Sequence, residues 1–211
     1  MRLYQSLGPN PRVTTMYLSE KGIAIDRVFV DIVEGENRQP AYLSKNPAGG
    51  VPCLERDDGS YLPDGVAICE YLEELYPYPP LLGATPEQRA DTRAAIRMID
   101  QSVTVPMTNG FRSAEGLAMF ADRMLCAPEA ADGNKAYARD GLEKLDAKLA
   151  GQGWVCGDRF TLADIVLFAF VEFGAQVGQP IPEGSLNLAA WHQRVAARPS
   201  AGISANPQNG I

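Results

Sequence analysis

Four prolines, Pro77, Pro79, Pro80 and Pro86, crowd one short stretch and divide the chain. Proline has no backbone donor and fixes its own φ, so no helix or central strand runs through such a cluster. Whatever this chain folds into, residues 77–86 are a linker and the two sides are read separately.

The first side mixes two periods. Residues 2–6 read as a short strand. Residues 12–21 read as a helix, with Val13, Met16 and Tyr17 at i, i+3 and i+4 and Gly22 as a stop. Residues 27–33 are a β-branched and aromatic strand. A short helix or turn is expected over 40–45. Strands over 52–56 and 60–62 flank Asp57-Asp58-Gly59, a hairpin signal. A helix over 66–76 carries Ile68, Tyr71, Leu72 and Leu75 on one face. The opening βαβ order implies a parallel pair with a right-handed crossover.

The second side reads as helix throughout. One long helix is expected from Pro86 to about Gly110. Ala138, Leu142, Leu145 and Leu149 form an apolar stripe that ends at Gly151 and Gly153. Phe160-Thr161-Leu162-Ala163-Asp164-Ile165 is a capping box: Thr161 caps the helix, Asp164 bonds back to it, and Phe160 and Ile165 take the staple positions. A last helix over 186–198 stops at Pro199. The tail from Ser200 to Ile211 is expected to be loose.

Composition narrows the function classes. Nineteen basic against 26 acidic residues give a net charge of −7, which disfavours nucleic acid and anionic membranes as partners. The longest apolar run, Ile165 to Val171, is far short of the ~20 residues that span a bilayer. No secretory leader is visible. Cys53, Cys69, Cys126 and Cys156 form no CxxC and no metal-ligand spacing, so free thiols in a cytoplasmic protein are expected.

Three stretches and the order of elements resemble the cytosolic glutathione transferase family. They are Val51-Pro52-Cys53-Leu54, the run from Leu62 through Asp64-Gly65 to Leu72, and Gly157-Asp158-Arg159-Phe160-Thr161-Leu162-Ala163-Asp164-Ile165. The closing Ala190-Trp191-His192-Gln193-Arg194-Val195 with Arg198-Pro199-Ser200 resembles the family's terminal helix. The resemblance implies an α/β thioredoxin-like N-terminal domain plus an all-α C-terminal helical domain. The expected layout is a glutathione-binding domain at 1–76, a linker at 77–86, and a helical domain at 87–211 that supplies the electrophile pocket. It also implies glutathione as cosubstrate, no permanently bound cofactor, no metal, and a homodimer using the long helix near residues 92–101.

Mapped residue by residue, the resemblance makes Pro52 a cis proline and lets the backbone of Val51 pair with the cysteinyl unit of glutathione. By itself, Pro52 reads as an ordinary strand-starting proline. Asp64-Gly65 opens a helix, where free N–H groups suit a carboxylate: Gly65 would take the γ-glutamyl carboxylate and Asp64 the ammonium. Asp64 read alone is a helix cap. Gly65 stands where the family carries Ser or Thr, and Gly50 where many relatives carry Lys, so two contacts are missing. Asn37, Arg38 and Gln39 fall in the stretch that reaches the glycyl end, or are loop polarity. For the thiol-activating residue, Asn10 at the first helix N-terminus is preferred and Ser6 is the other candidate; Tyr4 reads as structural. Asn10 also reads as a helix cap, and Arg12 as a nearby charge or a surface residue. Leu7, Met107, Phe111, Met119 and Phe120 are candidates for the electrophile pocket, or for core.

The function implied is conjugation of the glutathione thiolate to small hydrophobic electrophiles, with detoxification as the setting. The alternatives are glutathione-dependent disulfide reduction and a non-catalytic binding protein that retains the fold. His192, Asp164 and Cys53 read as structural.

Overall fold

The computed structural model describes residues 1–206 and 208. Contacts divide the chain into two units. The first is Met1–Leu82 together with the segment from Ala196 onward, and the second is Gly83–Val195.

The first unit is built on a four-stranded sheet: β1 (Arg2–Gln5), β2 (Asp26–Phe29), β3 (Cys53–Glu55) and β4 (Tyr61–Pro63), in the order β2-β1-β3-β4. β1 and β2 are parallel, joined by α1 (Pro9–Lys21). β1 and β3 run antiparallel with Tyr4 opposite Cys53, and β3 and β4 form the hairpin at Asp57-Asp58-Gly59. A 3₁₀ turn (Glu36–Arg38) and α2 (Pro40–Leu43) lead into β3, and α3 (Gly65–Leu75) follows β4. Met16 and Tyr17 of α1, Leu54 of β3, and Ile68 and Leu72 of α3 are all buried. The sheet also carries a satellite cluster of Tyr4, Val30, Tyr42 and Cys53.

A buried carboxylate anchors the proline linker. Glu73 accepts from Lys21 Nζ at 2.8 Å, from the Tyr17 hydroxyl, and from the Leu82 N–H at 2.9 Å. Lys21 also donates to the Pro79 carbonyl at 2.7 Å. Burial, then the bond to Glu73, pushes the Tyr17 phenol well above its ordinary range.

The tail departs from expectation. Residues from Pro199 to Ser204 form a helix, α10, packed on α1 within the first unit. Arg198 donates to Glu20 at 2.8 and 2.6 Å, and the Ser200 hydroxyl bonds the same carboxylate. A capping proline and a two-pronged ion pair order what composition alone reads as loose. The end of that expected tail, Pro207 and residues 209–211, lies outside the described residues. Burial would raise the Glu20 carboxyl, but Arg198 and Ser200 outweigh it and hold it below its ordinary value of 4.5. A carboxylate lowered in the folded state stabilises above its unfolded pKa, and that contribution is lost as pH falls through the folded value. Acidification below about 4.5 is therefore expected to release α10 before the sheet unfolds. Following the Glu20 carboxyl by NMR should show this, and Arg198→Met should raise its midpoint.

The second unit is helical: α4 (Pro86–Ile99), α5 (Val105–Arg112), α6 (Leu117–Phe120), α7 (Ala131–Lys148), α8 (Leu162–Gln176) and α9 (Leu186–Ala196). The single long helix expected from Pro86 is broken by a π turn at Asp100–Thr104. Pro106 has no N–H to continue the ladder, so the register widens there. The freed Ser102 carbonyl lies where a Cβ on Gly141 of α7 would come within 2.2 Å, so α7 crosses at this point only as glycine. The capping box at Thr161 and Asp164 is present, and Asp164 extends it. Its carboxylate accepts from the N–H groups of Thr161 and Val155, both at 2.9 Å, and from Trp191 Nε1 at 2.9 Å. Phe160 stacks edge-on against Trp154. His192 lies on the Phe168 ring and meets Glu172 at 2.6 Å.

Candidate functional site

Three chain segments of the first unit converge around Pro52. The Val51–Pro52 peptide is cis, as the resemblance implied. Pro52 is buried, and among the described residues Val51 makes no backbone hydrogen bond through its N–H or C=O. A peptide with both groups free is open to pairing with another peptide. Continuing the antiparallel register of β1 and β3 places Ser6 opposite Val51.

The second segment is the start of α3. Asp64 has φ 77° and is the one non-glycine residue with positive φ among the described residues. A left-handed aspartate is a sparsely populated conformation that neighbouring structure must hold in place. Its Oδ1 caps the helix by accepting from the Ala67 N–H at 2.9 Å, so the simple capping role is real. Asp64 remains exposed, while Gly65 is buried. A Cβ on Gly65 would lie 3.2 Å from the Asn10 carbonyl and 3.7 Å from Pro52. Lacking a side chain, Gly65 allows the first turn of α1 to close on α3, which accounts physically for the missing hydroxyl.

The third segment is that first turn. Gly8, at φ 112°, is its N-cap and provides no side-chain bond, and Pro9 opens the helix. Asn10 is exposed beside Gly65. Ser6 is 1% exposed and its hydroxyl has no partner, so an incoming thiol cannot reach it without movement. Tyr4 donates to Glu55 at 2.8 Å, and burial first, then that bond, raises its phenol. Arg12 turns towards α10, donating to the Ala201 carbonyl at 3.4 Å.

The loop before Val51 is fixed from below. Asn37 is buried and donates to the Gly49 carbonyl at 2.6 Å. That bond shapes the loop, while the Asn37 Oδ1 has no partner within the protein. The Arg38 guanidinium lies beside Gly49. Gly50 is exposed, and its carbonyl accepts from the Tyr42 hydroxyl at 2.7 Å and from Asn46 at 2.8 Å. Tyr42 and Asn46 are positioning residues that the sequence pattern did not single out. Cys53 is fully buried, and burial pushes its thiol up to about 11, which leaves it inert.

The electrophile-pocket candidates fare differently. Leu7 is 49% exposed in the first unit. In the second unit, Phe111 meets Phe120 and Phe173 edge-on, with centroids 6.1 and 5.1 Å apart. Phe111 and Met119 are partly exposed. Met107 is a correction: it is completely buried, its thioether lies against Gly174 and its carbonyl accepts from Gln179. It belongs to the core of α5 and α8.

Among the described residues no cluster has metal-binding composition, and no helix is long and apolar enough to cross a membrane. A family model described as the glutathione S-transferase N-terminal domain matches residues 8–75, and one for the C-terminal domain matches residues 126–199. Glutathione S-transferase 2 of Saccharomyces cerevisiae is 32% identical over 201 residues, covering 92% of this chain and 84% of the relative. The chain belongs to the glutathione S-transferase family. A glutathione S-transferase domain-containing protein from Marinobacter aquaeolei VT8 superposes with a TM-score of 0.89 at 34% identity, over 95% of this chain and 99% of that one. The fold is accordingly the thioredoxin-like unit plus helical unit of that family. Its members act through more than one reaction, since a 35% identical relative from Pseudomonas aeruginosa, covering 83% of this chain and 84% of its own length, is a maleylacetoacetate isomerase.

Proposed function

We propose that this family member binds glutathione in its first unit and adds the thiolate to small hydrophobic electrophiles. The observation that supports it most is the meeting of an unpaired Val51 peptide edge, at a cis proline, with the N-terminus of α3. The backbone of Val51 would pair with the cysteinyl unit. The Gly65 N–H would receive the γ-glutamyl carboxylate at the positive end of α3, and Asp64 the ammonium. Arg38 is the candidate for the glycyl carboxylate. Asn10 is the only one of the two thiol-activating candidates open to solvent. Its amide N–H would donate to the sulfur and favour the thiolate, which is the nucleophile. Leu7, exposed in the first unit, is the proposed apolar contact for the electrophile on that side. A homodimer in the cytoplasm and a detoxifying role belong to the same reading.

Titration calorimetry with reduced glutathione is the first test, with binding at millimolar affinity or better expected. Loss of a charge-assisted bond to the ammonium is worth about 1.5–3 kcal/mol, so Asp64→Gly is expected to lower kcat/KM for glutathione roughly 10–100-fold. Glycine keeps the positive φ, which separates this effect from misfolding. Asn10→Ala is expected to lower kcat with KM for glutathione little changed, whereas Ser6→Ala should leave both near wild type. Tighter binding of glutathione disulfide than of the thiol would favour the reductase. Binding without turnover would favour a binding protein.

A second reading is glutathione-dependent isomerisation, favoured by the maleylacetoacetate isomerase relative. A thiolate that adds to a conjugated double bond and leaves again changes geometry without forming a product adduct. Turnover of an activated alkene with no consumption of glutathione would select it.

A further inference from the structure

The first turn of α1 is held by few bonds of its own. Its N-cap is a glycine with no side-chain bond, and no acidic residue lies in the turn. Pro9 and Pro11 fall at the first and third helical positions, whose N–H groups have no intrahelical partner in any α-helix, so they cost the turn no bond and add none. A glycine cap forgoes a side-chain bond worth roughly a few tenths of a kcal/mol, and the first intrahelical bond, from the Arg12 N–H to the Gly8 carbonyl, is long at 3.2 Å. Such a turn frays unless tertiary contacts restrain it. Yet Asn10 sits on it, beside Gly65.

The restraint comes from the other end of the chain. α10 lies along α1 and is clipped at two places. At the C-terminal end of α1, Glu20 holds Arg198 and Ser200. At the N-terminal end, Arg12 reaches the Ala201 carbonyl at 3.4 Å and the Ser204 hydroxyl at 3.5 Å. The second pair is long, so each contact is weak by itself. Its leverage comes from the Glu20 clip, which fixes α10 as a rigid bar. Ala201 and Ser204 are buried against α1.

We propose that α10 is a splint for the glutathione site and that Arg12 is its positioning residue. Through Arg12, α10 keeps the first turn of α1 wound and the Asn10 side chain at a fixed distance from the sulfur. Arg12 itself touches no substrate. The proposal rests on the reading of Asn10 given above, but its structural half stands independently of ligand.

The test uses the full-length protein and the variants Arg12→Ala, Arg12→Lys and Glu20→Gln. Amide hydrogen exchange, measured without ligand, reports the splint alone. Exchange at Arg12 and Val13 is expected to rise about tenfold in Arg12→Ala and Glu20→Gln, with the β-strands unchanged. In Arg12→Lys, which can still donate to Ala201, most protection should return. The thiolate absorbance of bound glutathione against pH then reports the site. Its midpoint should move upward by about half a unit in Arg12→Ala, with kcat falling about fivefold and KM for glutathione within twofold. Unchanged exchange in both Arg12→Ala and Glu20→Gln would overturn the splint. Raised exchange with an unmoved thiol midpoint would overturn its link to the site. A wild-type protein that binds no glutathione would refute the functional reading while leaving the exchange result to decide the splint.

Discussion

Replacing Asp164 with alanine is expected to remove about 3–6 kcal/mol from the second unit. The carboxylate satisfies three buried N–H donors at once, from Thr161, Val155 and Trp191. Each donor left without a partner costs about 1–3 kcal/mol. Total stabilities of such units are about 5–15 kcal/mol, so the variant should stand near its unfolding midpoint at physiological temperature. Both tryptophans of the chain, Trp154 and Trp191, lie in this unit, so their fluorescence in a urea titration reads the effect directly. Asp164→Asn is the finer probe. One amide oxygen can keep two of the donors, but the NH₂ group must then face an N–H. It should recover less than half of the loss; full recovery would mean that shape rather than acceptor capacity is what matters there.

Glu73→Ala is expected to lower the stability of the first unit by about 3–5 kcal/mol, the usual result of leaving one member of a buried ion pair uncompensated. The Lys21 side chain is 0% exposed, so water cannot readily replace the lost carboxylate. The Leu82 N–H and Tyr17 hydroxyl lose their acceptor too. Adding Lys21→Met to the alanine variant should restore part of the stability, because the stranded charge is then gone. A double variant no better than Glu73→Ala would show instead that the tether to Leu82 and Pro79 carries the effect. Hydrogen exchange at Leu82 reports the tether by itself: it should rise in Glu73→Ala, which loses the Leu82 acceptor but keeps the Lys21 bond to Pro79, and stay raised in the double variant, which loses both, even where global stability recovers.

Much of this was open to reading because it rests on local chemistry. The hairpin at Asp57-Asp58-Gly59, the helix face of Ile68 and Leu72, and the Thr161–Asp164 box are each encoded within a dozen residues. The places where sequence misled are those decided at a distance or by a missing atom. Pro106 stops one N–H and turns an expected continuous helix into two. Met107 reads as a pocket residue by type, but Gly174 on another helix makes room to bury it. Asn37 reads as a ligand contact by its position, and the sequence does not show that its amide N–H also ties down a carbonyl twelve residues on. The order of α10 depends on Glu20, 178 residues before Arg198. The departure at Gly65 becomes intelligible only when the Asn10 carbonyl is seen against it.

The distance in sequence between Glu20 and Arg198 also governs how the molecule is made. Within the first unit, α10 is translated long after α1, because the whole second unit lies between them in sequence. At roughly 5–20 residues per second, the interval between Glu20 and Arg198 is on the order of 9–36 s. Throughout it, α1 waits with one long face uncovered and its carboxylate unmatched. The nascent first unit is therefore an incomplete body until the helical unit has been synthesised behind it, and a premature stop between residue 82 and Arg198 would leave it in that state.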